Sequence, residues 1–131
     1  MLKKSPSGAL SPYYYKGGYF HGIHYGSYGD NTAPLFAMME QEEAFLLKSP
    51  EHRRIMIDLY ETTLTDAVLD RLIRHLDTIS DRIIKLAIAT DKASLRLLRR
   101  ALKKAALPDS GRFYLCTDME EGKTWLVSDT F

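Results

Sequence analysis

The chain has 131 residues and a formal net charge of +1, and 45% of its residues are apolar and 27% charged. This length and composition predict one ordinary globular domain that is long enough to bury a core. The near-zero net charge excludes a strong overall attraction to nucleic acid or to an acidic membrane surface.

Several features bear on the compartment. No apolar run approaches the ~20 residues of a membrane span, and residues 1–6 lack the apolar stretch of a signal peptide. Cys116 is the only cysteine, so an intrachain disulfide is impossible. Its position at the end of a predicted strand favours a buried, inert thiol. We therefore expect a cytoplasmic protein without a membrane span.

The N-terminal segment differs in composition from the rest of the chain. Six of the eight glycines lie before Asp30, and six of the eight tyrosines lie within residues 13–28. We therefore divide the chain into a Gly/Tyr-rich arm or hairpin at residues 1–30 and an α/β domain at residues 31–131. Residues before about Ser11 are expected to be disordered.

The aromatic part of this segment has two interpretations. Residues 13–15 and 19–25 predict the two strands of a β-hairpin across the Lys-Gly-Gly run at residues 16–18, because aromatic residues favour strands. The alternative is a flexible arm that becomes ordered on a partner. The hairpin is the favoured interpretation.

The first predicted helix covers residues 32–47. Asn31 or Thr32 is placed to cap it, and Pro50 follows its end. Its acidic and amide side chains are expected to face water: Glu40, Gln41, Glu42 and Glu43.

Three strand-then-helix units follow, with strands at residues 54–60, 83–89 and 113–116. Each strand leads to a threonine at the start of the next helix: Thr63, Thr90 and Thr117. This order predicts an α/β fold, namely a single domain with a mixed four- to five-stranded sheet, a parallel βαβαβα portion and flanking helices. Sites in such folds usually lie at the carboxyl ends of the strands.

The helix after the second of these strands is strongly basic. Residues 92–104 contain six cations and no acid. Four of them share one helix face and are candidates for binding an anion: Lys92, Arg96, Arg99 and Lys103. A solvated outer face is the simpler interpretation, because cations near the C-terminus of a helix are favourable in themselves.

Polar residues at the predicted strand ends form a second candidate surface. A phosphate on the threonines of residues 61–66 would meet free backbone N–H groups and the positive end of a helix. Simple capping by Thr63, with Asp66 returning the bond, is the more economical interpretation. The candidate interaction or phospho-switch residues are Asp58, Thr62, Thr63, Thr65, Asp66, Thr90 and Asp91.

Evidence for catalysis is weak. Asp58 in a buried strand needs hydrogen-bond partners, or its pKa rises, and it is either a structural group or a general base. His21 and His24 have no cysteine or clustered acid beside them, so we expect no metal site. Because no glycine-rich phosphate motif occurs, we also expect no cofactor.

Four segments carry a resemblance to a known family: residues 55–59, 84–90, 95–102 and 113–126. They resemble parts of STAS domains, the anti-sigma-factor antagonist-like (SpoIIAA-like) group. In order, these parts are the strand before the switch helix, the next strand, the next helix, and the closing strand with its acidic turn and small last helix. Antagonist members are phosphorylated on a serine in an Asp-Ser-Ser-Gly-Leu run. The corresponding residues here are Glu61, Thr62, Thr63 and, in place of the glycine, Leu64.

The resemblance implies a non-enzymatic cytoplasmic regulatory or protein-interaction module that is phospho-switched at a helix N-terminus and whose partner is another protein. The alternative is a binder of a small anionic or phosphate-bearing ligand through the basic helix. An enzyme that uses Asp58 or His24 is the third hypothesis, and it requires a pocket that joins the arm to the strand ends. An exposed aromatic edge would also fit a homodimer. Nucleic acid is not favoured, since Lys16 is the only cation among the aromatic residues of the arm.

Overall fold

The computed structural model describes residues 3–7, 10–107 and 110–128 of the chain. Its strands are β1 (Lys3–Lys4), β2 (Leu10–Ser11), β3 (Tyr13–Tyr15), β4 (Gly18–His24), β5 (Arg53–Asp58), β6 (Ile83–Ala89) and β7 (Phe113–Cys116). Its helices are α1 (Thr32–Leu47), α2 (Asp66–Ile79), α3 (Lys92–Ala105) and α4 (Met119–Val127).

Five strands form one mixed sheet in the order β3-β4-β5-β6-β7, and β1 and β2 form a separate two-stranded pair. β3 is antiparallel to β4, whereas β4, β5, β6 and β7 are parallel to one another. This confirms the predicted single α/β domain with a mixed sheet and a parallel portion. The helix predicted at residues 32–47 is also confirmed as α1.

The N-terminal segment contributes more to the sheet than the sequence indicated. β3 and β4 form the predicted hairpin, and β4 also pairs in parallel with β5 from His21–Ile55 to His24–Asp58. The fold therefore has four strand-then-helix units, with α1 as the first crossover. The expected disorder before Ser11 is wrong for residues 3–7, because Ser5 is buried and donates a hydrogen bond to the Gly22 carbonyl at 3.0 Å; residues 1, 2, 8 and 9 lie outside the described residues.

The two faces of the sheet are covered unequally. Apolar side chains of α1, α2 and α3 share one core with Ile55, Ile57 and Ile88. On the opposite face, Leu126 of α4 packs with a smaller group that includes Met56. Three helices thus cover one face, and one short helix covers most of the other.

Helix α2 begins later than the sequence indicated. β5 ends at Asp58 and not at residue 60, and α2 begins at Asp66. Thr65 is the N-cap, since its Oγ1 accepts a hydrogen bond from the Val68 amide at 3.2 Å. The capping role predicted for Thr63 is therefore wrong.

Helix α4 contacts the sheet closely at Gly122 and again at its C-terminus. A Cβ on Gly122 would lie 2.9 Å from Sγ of Cys116, so only glycine permits this close approach. At the C-terminus, Nη1 of Arg54 donates to the Leu126 carbonyl at 2.8 Å, and Nζ of Lys85 donates to the Ser128 carbonyl at 3.0 Å. These cations satisfy carbonyls that a helix end leaves without intrahelical partners.

Candidate functional site

The carboxyl ends of β4 and β5 bring together two residues that are 34 positions apart in the chain. Nδ1 of His24 lies 2.9 Å from each carboxylate oxygen of Asp58. This contact assigns the Nδ1 proton to the bond with Asp58 and leaves Nε2 free to accept a bond. The His24 side chain is 52% exposed, whereas that of Asp58 is 13% exposed.

The loop after β4 is shaped around this pair. A Cβ on Gly26 would lie 2.5 Å from Oδ1 of Asp58 and 2.6 Å from the carbonyl oxygen of Tyr60. Glycine at this position therefore permits the carboxylate to lie where it meets His24. The backbone amide of His24 also donates to Oγ of Ser7 at 3.0 Å, which links the pair to the N-terminal residues.

A cavity of about 200 Å³ adjoins the pair, between the hairpin, β5 and α4. Its apolar lining includes Phe20, Met56 and Met119, and its polar lining includes His24, Asp58, Tyr13 and Lys123. The cavity thus joins the N-terminal hairpin to a strand end, which the enzyme hypothesis required. Its described lining contains no Ser, Thr or Cys side chain that would act as a nucleophile.

The predicted threonine candidates near α2 differ in accessibility. Thr62 is buried, and its hydroxyl donates to the Tyr25 carbonyl at 2.7 Å and accepts from the Tyr28 amide at 3.2 Å. Thr63 and Thr65 are exposed, but the Thr65 hydroxyl is engaged as the N-cap. Within the described chain, Thr63 is the exposed threonine of this loop whose hydroxyl has no hydrogen-bond partner.

The two candidate residues at the start of α3 also differ in accessibility. Thr90 is buried, and its Oγ1 has no hydrogen-bond partner among the described residues. Asp91 is exposed and caps α3, because Oδ1 accepts a bond from the Ser94 amide at 2.8 Å. The bonds from the Ser94 amide and hydroxyl lower the pKa of Asp91 below its ordinary range. Asp66, the first residue of α2, is also exposed.

The basic residues of α3 lie on its outer surface. Leu98 and Leu102 face the core, whereas all six cations are exposed: Lys92, Arg96, Arg99, Arg100, Lys103 and Lys104. None of the six forms an ion pair with any residue that the structure describes. The four candidate anion-binding residues therefore lie together on an exposed surface, hereafter the α3 basic face.

A buried polar network lies between the sheet and α1, and sequence reasoning missed it. Nε2 of His21 lies 2.9 Å from Oε1 of Glu42, and both side chains are fully buried. The expectation that Glu42 faces water is therefore wrong. The signal was present, because Glu42 lies seven residues after Leu35 and four before Leu46, which places it on the buried stripe of α1.

Glu43 takes part in a second group of polar contacts and is only 17% exposed, so the expectation that it faces water is also wrong. Its Oε2 lies 2.7 Å from Nδ1 of His75 and 2.9 Å from Nη1 of Arg71, and Nε2 of His75 lies 2.9 Å from the Tyr25 hydroxyl. Burial lowers the pKa of His75 and raises that of Tyr25. Burial alone would raise the pKa of Glu43, but the bonds from His75 and Arg71 outweigh it and lower that pKa. These directions favour a neutral His75 that donates to Glu43 and accepts from Tyr25.

Other predicted features can also be located. Cys116 is buried as predicted, and burial raises the pKa of its thiol to about 11, which keeps it protonated and unreactive. Across residues 3–7, 10–107 and 110–128, no three His, Cys, Asp or Glu side chains are grouped so as to hold a metal ion. No helix in the same residues is both long enough and apolar enough to span a membrane.

Comparisons of the chain with protein-family models, with curated proteins and with solved structures found no match. The resemblance to STAS domains therefore stays a hypothesis, because a likeness of fold does not by itself establish function.

Proposed function

We propose that the chain is a non-enzymatic regulatory module of the cytoplasm that binds an acidic surface of another protein through the α3 basic face. One observation carries this proposal: six cations on one helix are exposed and have no ion-pair partner among the described residues. The resemblance to STAS domains, whose antagonist members bind other proteins, points in the same direction.

The spacing of the cations supports an external partner. Lys92 and Arg96 are four residues apart, as are Arg99 and Lys103, so like charges are neighbours along the helix. Such pairs repel one another, and α3 contains no acid to relieve the repulsion. A solvated helix face usually mixes both signs of charge. An acidic partner would supply the missing counter-charge and would speed association.

In the proposed module, Thr63 is the residue that a kinase modifies. It is exposed and lies three residues before the start of α2, so a phosphate there would meet the positive end of that helix. Thr62 is a poorer candidate, since a phosphate on its buried hydroxyl would break two hydrogen bonds.

A charge-reversal experiment tests the proposed contact surface. The double variant Arg96→Glu with Arg99→Glu is expected to lose the proteins that the tagged wild type recovers from extracts of its own host at low salt. The matched control reverses two exposed cations elsewhere, Lys48→Glu just after α1 with Arg74→Glu in α2, and should retain these proteins. Recovery of the same partners by both double variants would contradict the proposal.

The phospho-switch has a separate test. Thr63→Glu adds a negative charge at the proposed site, whereas Thr63→Gln adds similar bulk without charge. We expect only the glutamate variant to change the amount of recovered partner, with both variants equally stable. Equal recovery by the two variants would remove Thr63 as the switch.

A second candidate function is the binding of a small phosphate-bearing ligand by the same cations. The absence of ion-pair partners for Lys92, Arg96, Arg99 and Lys103 among the described residues also favours this alternative. Titration with inorganic pyrophosphate should then shift backbone amide signals of α3, and the shifts should weaken as salt rises. Unchanged α3 signals would exclude this candidate without affecting the protein-binding proposal.

A further inference from the structure

We propose that the cavity beside His24 and Asp58 is a binding site for a small carboxylic acid with an apolar body, held as its carboxylate by His24 and Lys123. This site lies between the hairpin, β5 and α4. It uses residues that the proposed function does not involve.

The His24–Asp58 pair is held in one arrangement by the residues around it. Both oxygens of Asp58 lie 2.9 Å from Nδ1, and the mostly buried carboxylate fixes which nitrogen of the half-exposed ring points outward. Only glycine at position 26 permits this placement, because a Cβ there would lie 2.5 Å from Oδ1 of Asp58. A ring held in this way presents Nε2 in a fixed direction at low entropic cost.

The His24 ring can form one further hydrogen bond. Nε2 of His24 has no partner among the described residues. By contrast, Nε2 of His21 and both ring nitrogens of His75 have partners. When a carboxylate binds, Nε2 takes one proton from solvent and donates the new N–H to a carboxylate oxygen. Asp58 stabilises the resulting imidazolium from the far side of the ring, as carboxylates do in catalytic triads.

A second cation lies at the cavity. Lys123 lines the cavity. Within the described chain its ammonium group forms one ion pair, a long contact of 3.7 Å with Glu120. The carboxylate of Glu120 is 64% exposed, so this contact is weak and easily exchanged. A ligand carboxylate would therefore meet two donors that can be positively charged, which is the arrangement that anions prefer.

The apolar lining determines the rest of the ligand. Phe20 and Met56 are almost completely buried and lie on the same side of the sheet as Met119. A volume of about 200 Å³ is smaller than that of most drug-sized sites, which are about 300–1,000 Å³. The site therefore fits an acid with one ring or a short alkyl chain. Methionine side chains adapt to either shape.

Methionine methyl NMR gives a direct test with benzoate and hexanoate as probes. Met56 and Met119 line the cavity, whereas Met39 lies in the opposite core and serves as an internal control. Both acids are expected to shift the methyl signals of Met56 and Met119 and to leave that of Met39 unchanged. Benzamide and hexanamide, which have no carboxylate, should bind about tenfold more weakly or worse, because each lost charge-assisted bond is worth at least that factor.

Variants separate this site from a non-specific effect of charge. His24→Gln and Lys123→Gln should each weaken benzoate binding about tenfold or more. Lys16→Gln is the matched control. Lys16 is an exposed cation that contacts Thr124, the residue after Lys123, but it does not line the cavity. His24 is half-exposed, so its variant should fold normally. The proposal is overturned if neither acid shifts Met56 and Met119, if the amides bind as well as the acids, or if His24→Gln binds benzoate like the wild type.

Discussion

Lys85 and Trp125 contact each other in two ways at the end of α4. Nζ of Lys85 donates to the Trp125 carbonyl at 2.9 Å and lies 4.4 Å from the centre of the indole ring. The lysine is fully buried and lies on β6, in the middle of the parallel strands. A buried ammonium needs hydrogen-bond partners, and the C-terminus of α4 supplies them.

This contact predicts that Lys85→Met destabilises the protein by about 1–3 kcal/mol, because the carbonyls of α4 lose a buried donor while the side-chain volume is nearly kept. Urea unfolding measures the change. Lys104→Met, on the exposed surface of α3, is the control and should stay within about 0.5 kcal/mol of the wild type. Equal stability of the two variants would show that Lys85 does not anchor α4.

The buried histidine predicts a specific pH dependence. Burial lowers the pKa of His75 below its ordinary value of 6.5, so the unfolded chain takes up a proton near that pH while the folded chain does not. The state that binds more protons is favoured by acid, and stability should therefore fall as the pH drops below about 6.5. His75→Asn should flatten this part of the curve of unfolding free energy against pH, whereas His52→Gln, at an exposed position, should not. Parallel curves for wild type and His75→Asn would contradict the assignment.

Two neighbouring threonines provide a test of where α2 begins. Thr65→Ala should cost about 1 kcal/mol, since it removes the hydroxyl that accepts the Val68 amide. Thr63→Ala should cost less than about 0.5 kcal/mol, because its exposed hydroxyl has no partner in the described chain. Thermal or urea unfolding of the two variants distinguishes the caps, and the reverse order of stability would restore Thr63 as the N-cap.

Two glycines outside the sheet strands are expected to differ in their tolerance of a methyl group. Gly26→Ala should destabilise the fold by about 1–3 kcal/mol, because the new Cβ would lie 2.5 Å from Oδ1 of Asp58 and 2.6 Å from the Tyr60 carbonyl. Gly111→Ala should be neutral or slightly stabilising, since no atom of the described residues lies within 4 Å of the added atom. Urea unfolding of both variants is the measurement. A Gly26→Ala protein as stable as wild type would mean that Asp58 does not need its observed position.

Much of the fold was predictable because its regular parts have local causes. The helix of residues 32–47 and the strand of residues 83–89 follow from hydrophobic pattern and flanking breakers, and both are confirmed. The start of α2 was misplaced because Thr63 and Thr65 are equally good caps by type, and only the path of the loop distinguishes them. The parallel role of β4 was missed because Gly and His residues interrupt its apolar pattern.

The candidate site was less predictable than the fold. Asp58 and His24 were each recognised as titratable residues, but their spacing of 34 positions gives no local signal of contact. Their proximity arises from the register of β4 with β5, which depends on recognising β4 as a parallel strand. The buried contact between Glu42 and His21 was missed for the same reason, because His21 lies on β4. The position of Glu42 on the apolar stripe of α1 nevertheless indicated that its side chain is buried.

The strand order β3-β4-β5-β6-β7 is also the order of synthesis. Each strand that leaves the ribosome therefore finds its neighbour already made, and the nascent sheet can grow by addition at a single edge. The parallel pairs are each joined through a helix, however, so each pairing must wait until the helix between the two strands has also been made. Because α4 follows all five strands of this sheet in the chain, the apolar side of the sheet that it covers stays open until α4 has been made. The apolar surface that favours aggregation of the growing chain is thus open between the completion of β7 and the docking of α4.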